Sequence, residues 1–333
     1  MMSLTSDKPA PRRAASRRWR DRLLLAALLV LVGAGLAGLA GATGWAESWA
    51  QIRGLSNAQV AGLLGLSALN YLLRAGRWHL LARRLGVPVG PGQSLRHYLG
   101  GFAMSVTPGR VGEFVRMRWI ARETGWAAER AAPLALMDRA GDLAAMAGLM
   151  GLSVALAAGG VRGAVPVAAL GFALAVMATR PRLLAGAITL AHRALGRAPR
   201  LFARARGAAR LLTRFSHGPT LTVALLLGLA GWFAEGVAFH LLLGWMGAEI
   251  PLWRAVAIFL FATLAGGLTG APGGLGGAEA AMVALLSLEG VGLEISVPAT
   301  AVIRLTTLWF AIAIGLVAFP LAERAAGKAQ VSR

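Results

Sequence analysis

The chain has 333 residues, 57% of them hydrophobic and only 14% charged, with a mean hydropathy of +0.64; a soluble domain of this length carries more charge, so the composition places it among polytopic membrane proteins. It has no cysteine, which excludes disulfides, cysteine-ligated zinc and thiol catalysis. The net charge of +20 does not point to nucleic acid, because the arginines fall in loops between apolar runs with few aromatics among them, a distribution that follows membrane topology.

In chain order, residues 1–22 are basic (Arg12, Arg13, Arg17, Arg18, Arg20, Arg22) and precede an apolar run from Leu23 to about Ala42. That run is long enough to span and more spans follow, so an uncleaved first helix is expected rather than a signal peptide. The next helix is about Asn57–Leu85, with Asn70, Arg74 and Arg77 on one face by spacing. Gly86–Gln93 is a Pro/Gly connection, and Leu95–Thr107 is apolar but too short to cross. Val111–Arg122 is amphipathic and basic. Ala131–Ala158 is a span interrupted by Asp138, Arg139 and Asp142, and Val161–Thr179 is a further span. A basic segment, 180–218, should lie on the membrane surface. Leu221–Met246 spans and contains Glu235. Trp253–Thr269 and Ala278–Leu288 flank a second break, Pro298–Leu321 is the last span, with Arg304 inside it, and residues 323–333 are a polar tail.

The two breaks are alike. The first is Pro108-Gly109-Arg110-Val111-Gly112-Glu113 and the second Pro272-Gly273-Gly274-Leu275-Gly276-Gly277-Ala278-Glu279. Each is a helix breaker inside an apolar region, followed by a carboxylate. In lipid, broken backbone survives only where it is buried in protein or lines a wet cavity. Both are therefore expected to be tips of re-entrant hairpins, with Glu113 and Glu279 in the first turn of a new helix, where an acid complements the dipole. Backbone N–H groups freed at Gly109–Gly112 and Gly273–Gly277 could receive a phosphate, provided that an arginine (Arg110, Arg139 or Arg304) screens the acids.

Positive charge sets the orientation. With the N terminus cytoplasmic, the stretches 1–22, 83–130, 180–218 and 322–333 hold nearly all Arg and Lys outside the spans; the opposite loops hold only Arg53, Arg162 and Arg254. The halves also correspond: Gly86 with Gly247, Pro108-Gly109 with Pro272-Gly273, Gly125 with Gly290, Arg139 with Arg304, and, in the first register, Arg74 with Glu235. The expected fold is an all-α polytopic membrane protein with an inverted-topology repeat (halves about 57–158 and 219–321), two re-entrant helical hairpins and about six full spans, the arrangement of transporters with a midplane site.

Ionisable groups inside spans are expensive and need partners or water. Asp138, Arg139 and Asp142 are expected to form either a structural cluster or, with Arg74, Arg77, Glu235 and Arg304, the polar lining of a cavity. His79, His97, His192, His217 and His240 have no ligand spacing, and no Gly-x-x-x-x-Gly-Lys-Ser/Thr loop is present. No metal or other cofactor is called for.

At these motifs the chain resembles the flippase-like family of lysylphosphatidylglycerol synthase transmembrane regions, over about residues 20–322. The carrying residues are Arg77-Trp78, Pro108 to Glu113 followed by Arg116, Arg139 with Asp142, Trp232 with Glu235, Pro272-Gly273-Gly274-Leu275-Gly276 with Glu279, and Arg304 before Trp309. Asp138 departs from the Glu that members often have there. Residues after 322 are a short tail, so the resemblance implies the lipid-translocating part alone and no synthase activity. Its shorter relatives are linked to phospholipid, polyprenyl-phosphate or hopanoid pathways.

The leading expectation is a lipid flippase of a bacterial-type inner membrane. Arg74, Arg77, Arg139 and Arg304 would meet an anionic headgroup in turn, and Glu113 and Glu279 would gate or couple to protons. The partners are membrane lipids, not nucleic acid, and a homo-oligomer is compatible with the sequence. One alternative is a membrane-embedded enzyme using Asp138, Asp142, Glu113 or Glu279 as acid or base, although no nucleophile–base pairing supports it. Another is a scaffold that recruits partners through 180–218.

Overall fold

A computed structural model describes residues 45–105, 112–156 and 218–331, with scattered positions between 166 and 193. The first span, most of the basic segment 180–218, most of the span at 161–179 and the residues Pro108, Gly109 and Arg110 lie outside the described residues. What is described is helical throughout. The helices are α1 (Trp45–Arg53), α2 (Asn57–Leu85), α3 (Pro91–Gly101, continued by a 3-10 turn, Phe102–Met104), α4 (Gly112–Thr124), α5 (Ala128–Leu156), α6 (Gly218–Trp245), α7 (Leu252–Leu268), α8 (Gly277–Leu288), α9 (Leu293–Arg304) and α10 (Phe310–Val331). A π turn, Leu305–Trp309, joins α9 to α10 without a break.

Three segments among the described residues are long and apolar enough to cross a membrane: Ala131–Leu156, Gly218–Trp245 and Leu293–Gln330. Helix α2 has the length, at 29 residues, but Asn70, Arg74 and Arg77 make it more polar than those three; all three side chains are buried. The last span starts at Leu293 rather than Pro298, because Gly292 takes an extended N-cap conformation and the proline is accommodated inside the helix. Helix α3 likewise starts at Pro91, before the apolar run, since proline has no N–H to lose at a first-turn position.

The ends of α2 and α6 are built alike. Gly86 and Gly247 both adopt left-handed φ values, 88° and 85°, which glycine takes without steric cost. In each the next residue reaches back along the helix, Val87 N–H to the Ala82 carbonyl at 3.0 Å and Ala248 N–H to the Leu243 carbonyl at 2.9 Å. Each is followed by a short extended link into the next helix. There the halves differ in length: α7 has 17 residues and α3 has 11.

Helices α2 and α6 run antiparallel against each other. Asn70 lies against Gly231 and Arg77 against Gly228, so rising numbers on one helix meet falling numbers on the other. A Cβ on Gly231 would stand 2.6 Å from Asn70 Oδ1 and 3.5 Å from its Cα; the close crossing depends on glycine. Around this pair the core forms two apolar bodies. One gathers Phe239, Phe259, Met282 and Ile303 from α6–α9 with Met150 of α5. The other gathers Tyr71, Trp78, Tyr98 and Phe102 from α2–α3 with Leu134 of α5. The long helices pack crosswise: α5 touches α7, and α10 touches α3 and α4.

Gly231→Leu should therefore lower the unfolding midpoint in detergent, at an overpacking cost of about 1–3 kcal/mol. Gly244→Leu, on the same helix with nothing within 4 Å of its Cβ position, should leave the midpoint unchanged or raise it. Equal midpoints for the two variants would contradict the crossing described here.

Candidate functional site: an ionic cavity between two broken helices

Helix α5 carries Asp138 and Asp142 one turn apart, facing the Arg74/Arg77 stripe of α2. Arg77 Nη2 donates to Asp138 Oδ1 at 2.6 Å and to Asp142 Oδ1 at 2.7 Å, and also to the Asp138 carbonyl at 3.0 Å. Arg74 Nη2 donates to Asp142 Oδ2 at 2.6 Å, and its guanidinium lies 4.7 Å from the centre of the Trp232 ring. The Trp232 indole N–H donates to Asp142 Oδ1 at 3.1 Å. Asp142 is thus shared by two arginines and a tryptophan from two other helices. Buried ion pairs of this kind add little net stability, but removing one partner leaves an uncompensated charge.

Arg116 of α4 enters the same cluster from the side. Its guanidinium sits 4.2 Å from the Tyr98 ring centre, 5.3 Å from Trp78 and 5.7 Å from Phe102. Nη2 donates to the Tyr98 carbonyl at 2.9 Å, and Nη1 is 4.0 Å from Asp138 Oδ2. An arginine with aromatic faces and only a distant carboxylate is a packed structural cation.

The two breaks each end in an arginine clasp. After the first, Glu113, in the first turn of α4, pairs with Arg139 Nε of α5. After the second, Glu279, in the first turn of α8, accepts from Arg304 Nε at 2.6 Å. Arg304 Nη2 also donates to the Gly273 carbonyl at 2.8 Å, which satisfies backbone released where Gly270, Gly273, Gly274 and Gly276 all take positive φ. Each clasp ties the helix after a break to the long helix that follows it. They differ in exposure: Arg139 and Glu113 are 30% and 21% exposed, Arg304 and Glu279 only 8% and 11%. The helix starts also press on the arms before them; a Cβ on Gly266 would lie 2.6 Å from the Ala278 Cβ, and one on Gly112 would collide with the Gly101 carbonyl.

A cavity of about 400 Å³ opens among these elements, within the range of about 300–1,000 Å³ usual for small-molecule sites. Arg74, Glu113, Arg139, Asp142, Glu235 and Arg304 bring charge to its wall, and Phe102, Met104, Leu143, Met146, Phe259, Leu264 and Leu268 supply apolar surface. Gly112, Gly273 and Gly274 contribute backbone. Arg77 and Asp138 are 0% and 1% exposed and, with Arg116, stand behind the wall. Glu279 acts through Arg304, and Gly276 is the exposed N-cap of α8. Pro272 begins the 3-10 turn of the second break. Glu235 is 4% exposed, lies beside Asn70, and has no salt-bridge partner among the described residues.

Several contributors had no signal in the sequence. Tyr71 lines the cavity and donates its hydroxyl to the Thr307 carbonyl in the π turn. Such turns free a carbonyl from the helical ladder and occur frequently at functional sites, but composition does not announce them. The aromatic box around Arg116 draws on α2, α3 and the 3-10 turn. Among the described residues no group of three or more His, Asp or Glu could hold a metal ion.

Apolar spanning helices closed around a buried ionic cavity define an integral membrane protein. Residues 23–315 match the model of the lysylphosphatidylglycerol synthase TM region, and the chain belongs to that family. It is also similar to two UPF0104 membrane proteins of Methanothermobacter thermautotrophicus (strain Delta H). One is 35% identical over 89 residues, 27% of this chain and 26% of the relative. The other is 30% identical over 103 residues, 31% of each. The chain thus matches between about a quarter and a third of the length of these curated relatives.

The geometry ranks the ion pairs. Asp142→Ala removes the carboxylate that Arg74 pairs with and leaves Arg77 to Asp138 alone, and it should destabilise by roughly 3–5 kcal/mol. Arg139→Ala opens a pair that borders the cavity and should cost less than about 1 kcal/mol. Unfolding midpoints in one detergent decide this; a larger loss for Arg139→Ala would reverse the assignment of structural and cavity-facing pairs.

Proposed function

We propose that this chain is a lipid flippase or transporter that moves an anionic lipid, of phospholipid or polyprenyl-phosphate type, between the leaflets of a bacterial-type inner membrane. The observation that carries the reading is the cavity itself. Charged and apolar walls meet there, and its charge is concentrated where two broken helices end in arginine–glutamate clasps. An amphiphile needs both kinds of wall: a headgroup among the arginines and chains against Phe, Leu and Met, continuing into the bilayer.

The inverted repeat is part of this proposal. In the register that equates Gly86 with Gly247, Asn70 is equivalent to Gly231, and these two positions touch on antiparallel helices. Equivalent residues in contact lie close to a pseudo-two-fold axis. An axis relating antiparallel helices is perpendicular to both, so for spanning helices it lies in the membrane plane, as expected for inverted halves. The hairpins are re-entrant in this reading. Helices α3, α4 and α8 have 11, 13 and 12 residues, and at about 1.5 Å per residue none crosses a core about 30 Å thick. The first enters from the cytoplasmic side and the second from the opposite side, with both termini cytoplasmic.

Mechanistically, Arg139 and Arg304 are the two phosphate receptors, one for each side. A phosphate oxygen that takes an N–H of either arginine competes with its glutamate. Losing Glu113 or Glu279 releases the corresponding helix start, so ligand arrival loosens the hairpin on its own side while the other stays clasped. Arg74 holds the middle of the path.

The test is leaflet accessibility of a headgroup-labelled phosphatidylglycerol or polyprenyl phosphate in liposomes containing the purified protein. Transfer should exceed that of empty vesicles, and Arg139→Ala and Arg304→Ala should each slow it by about ten-fold or more, the loss of about 1.4 kcal/mol of charge-assisted hydrogen bonding. Rates equal to empty vesicles for every anionic lipid tried would overturn the reading.

A further inference from the structure

The ionic residues of the site balance one for one. The arginines are Arg74, Arg77, Arg116, Arg139 and Arg304; the acids are Asp138, Asp142, Glu113, Glu279 and Glu235. Asp138 and Asp142 are held by Arg74 and Arg77, Glu113 by Arg139, and Glu279 by Arg304. Arg116 is immobilised in its aromatic box. That leaves Glu235, buried at the cavity wall, as the acid with no salt-bridge partner among the described residues.

Its neighbours come from every side. Arg74 and Tyr71 face the cavity from α2, Asp142 and Arg139 from α5, Glu113 from α4 and Arg304 at the end of α9; α7 brings only uncharged residues, Phe259 and Thr263 among them, and Glu279 of α8 stands behind Arg304. With Glu235 ionised, the described cluster is neutral, and a phosphodiester anion would add an uncompensated charge to a low-dielectric site. With Glu235 protonated, the cluster carries one positive charge, which a single phosphodiester cancels. Ion burial is costly unless charge is compensated, so the two occupancies are linked.

We propose that Glu235 is a proton-binding site coupled to the ligand, so that one proton and one phosphodiester anion enter the cavity together. This rests on the anionic-ligand reading above and adds its stoichiometry. The acid–base step balances simply: the Glu235 carboxylate takes a proton from water as the anion binds and returns it as the anion leaves. The same chemistry could serve a lipid headgroup or a small free phosphodiester, and the apolar wall favours the lipid.

Isothermal titration calorimetry of the detergent-solubilised protein with dihexanoylphosphatidylglycerol, run in buffers of different ionisation enthalpy, counts protons taken up per ligand. A phosphodiester stays ionised through the range, so uptake belongs to the protein. The expected count for the wild type is one. Affinity should fall as pH rises, by up to about ten-fold per pH unit once free Glu235 is ionised, because the bound state holds one more proton. Glu235→Gln, which keeps the shape and fixes the neutral form, should bind with no uptake and no pH dependence. A parallel titration with dimethyl phosphate separates the sources. Uptake with both ligands supports the coupling, with the apolar wall adding affinity for the lipid alone.

Binding by the wild type without proton uptake would overturn this inference and leave the flippase reading standing. Uptake that persists in Glu235→Gln would assign the proton to another group and overturn it equally. No binding of either phosphodiester would overturn this inference and, for phospholipids, the flippase reading with it. Should Glu235→Gln not fold, Glu235→Ala takes its place, with the same loss of uptake expected and the same persistence overturning the inference.

Discussion

The Asp142 carboxylate is the constraint on which the architecture turns. It sits on a helix apolar enough to span, yet it is buried among Arg74, Arg77 and Trp232. An isolated charge in that position would be expelled or neutralised. Sharing the charge among groups from α2, α5 and α6 makes those three helices mutually dependent. It also restricts the rotation of each, since the guanidinium nitrogens must stay within hydrogen-bond reach of the carboxylate.

The polar interactions sort by distance from the cavity. Arg77 with Asp138 is sealed and many-fold hydrogen-bonded. Arg116 is locked by aromatic faces and a backbone carbonyl. Arg139 with Glu113 is the most exposed of these pairs, on the shorter hairpin. Pairs near water are worth little and exchange partners readily, whereas buried ones are costly to break. The proposed admission and release of an anion would need interchangeable pairs at the surface of a non-interchangeable core, and the described residues are arranged in that order.

Much of this was legible in the sequence, and the reason is local. Helix limits follow from apolar run length and from Gly86 and Gly247, features read within one turn, whereas α3 and α9 start at Pro91 and Leu293, ahead of their apolar runs. Charged residues inside apolar runs name themselves. The choice of partner was not legible. Arg74 and Asp142 are far apart in sequence, and nothing local says that Asp142 pairs with α2 and Trp232 rather than with Arg139 alone. By spacing Arg77 shares a face with Arg74, which suggests one role for both. One further turn along the helix puts it behind the wall, a depth that spacing cannot express. The aromatic box of Arg116 and the Tyr71 bond to the π turn are long-range in the same sense.

Glutamate after each break complements the positive helix start, and it takes a place that could have received a phosphate directly. A bare helix N-terminus would hold its ligand without consequence for the hairpin. Placing Glu113 and Glu279 at those starts gives the positive end of each helix a permanent occupant and makes an arginine the contested group. In the proposed mechanism a ligand binds by displacing that carboxylate, which would make occupancy and the position of the helix start one equilibrium. The two clasps differ in exposure, and under the same proposal that difference would bias the equilibrium toward one side, as a carrier with two access states requires.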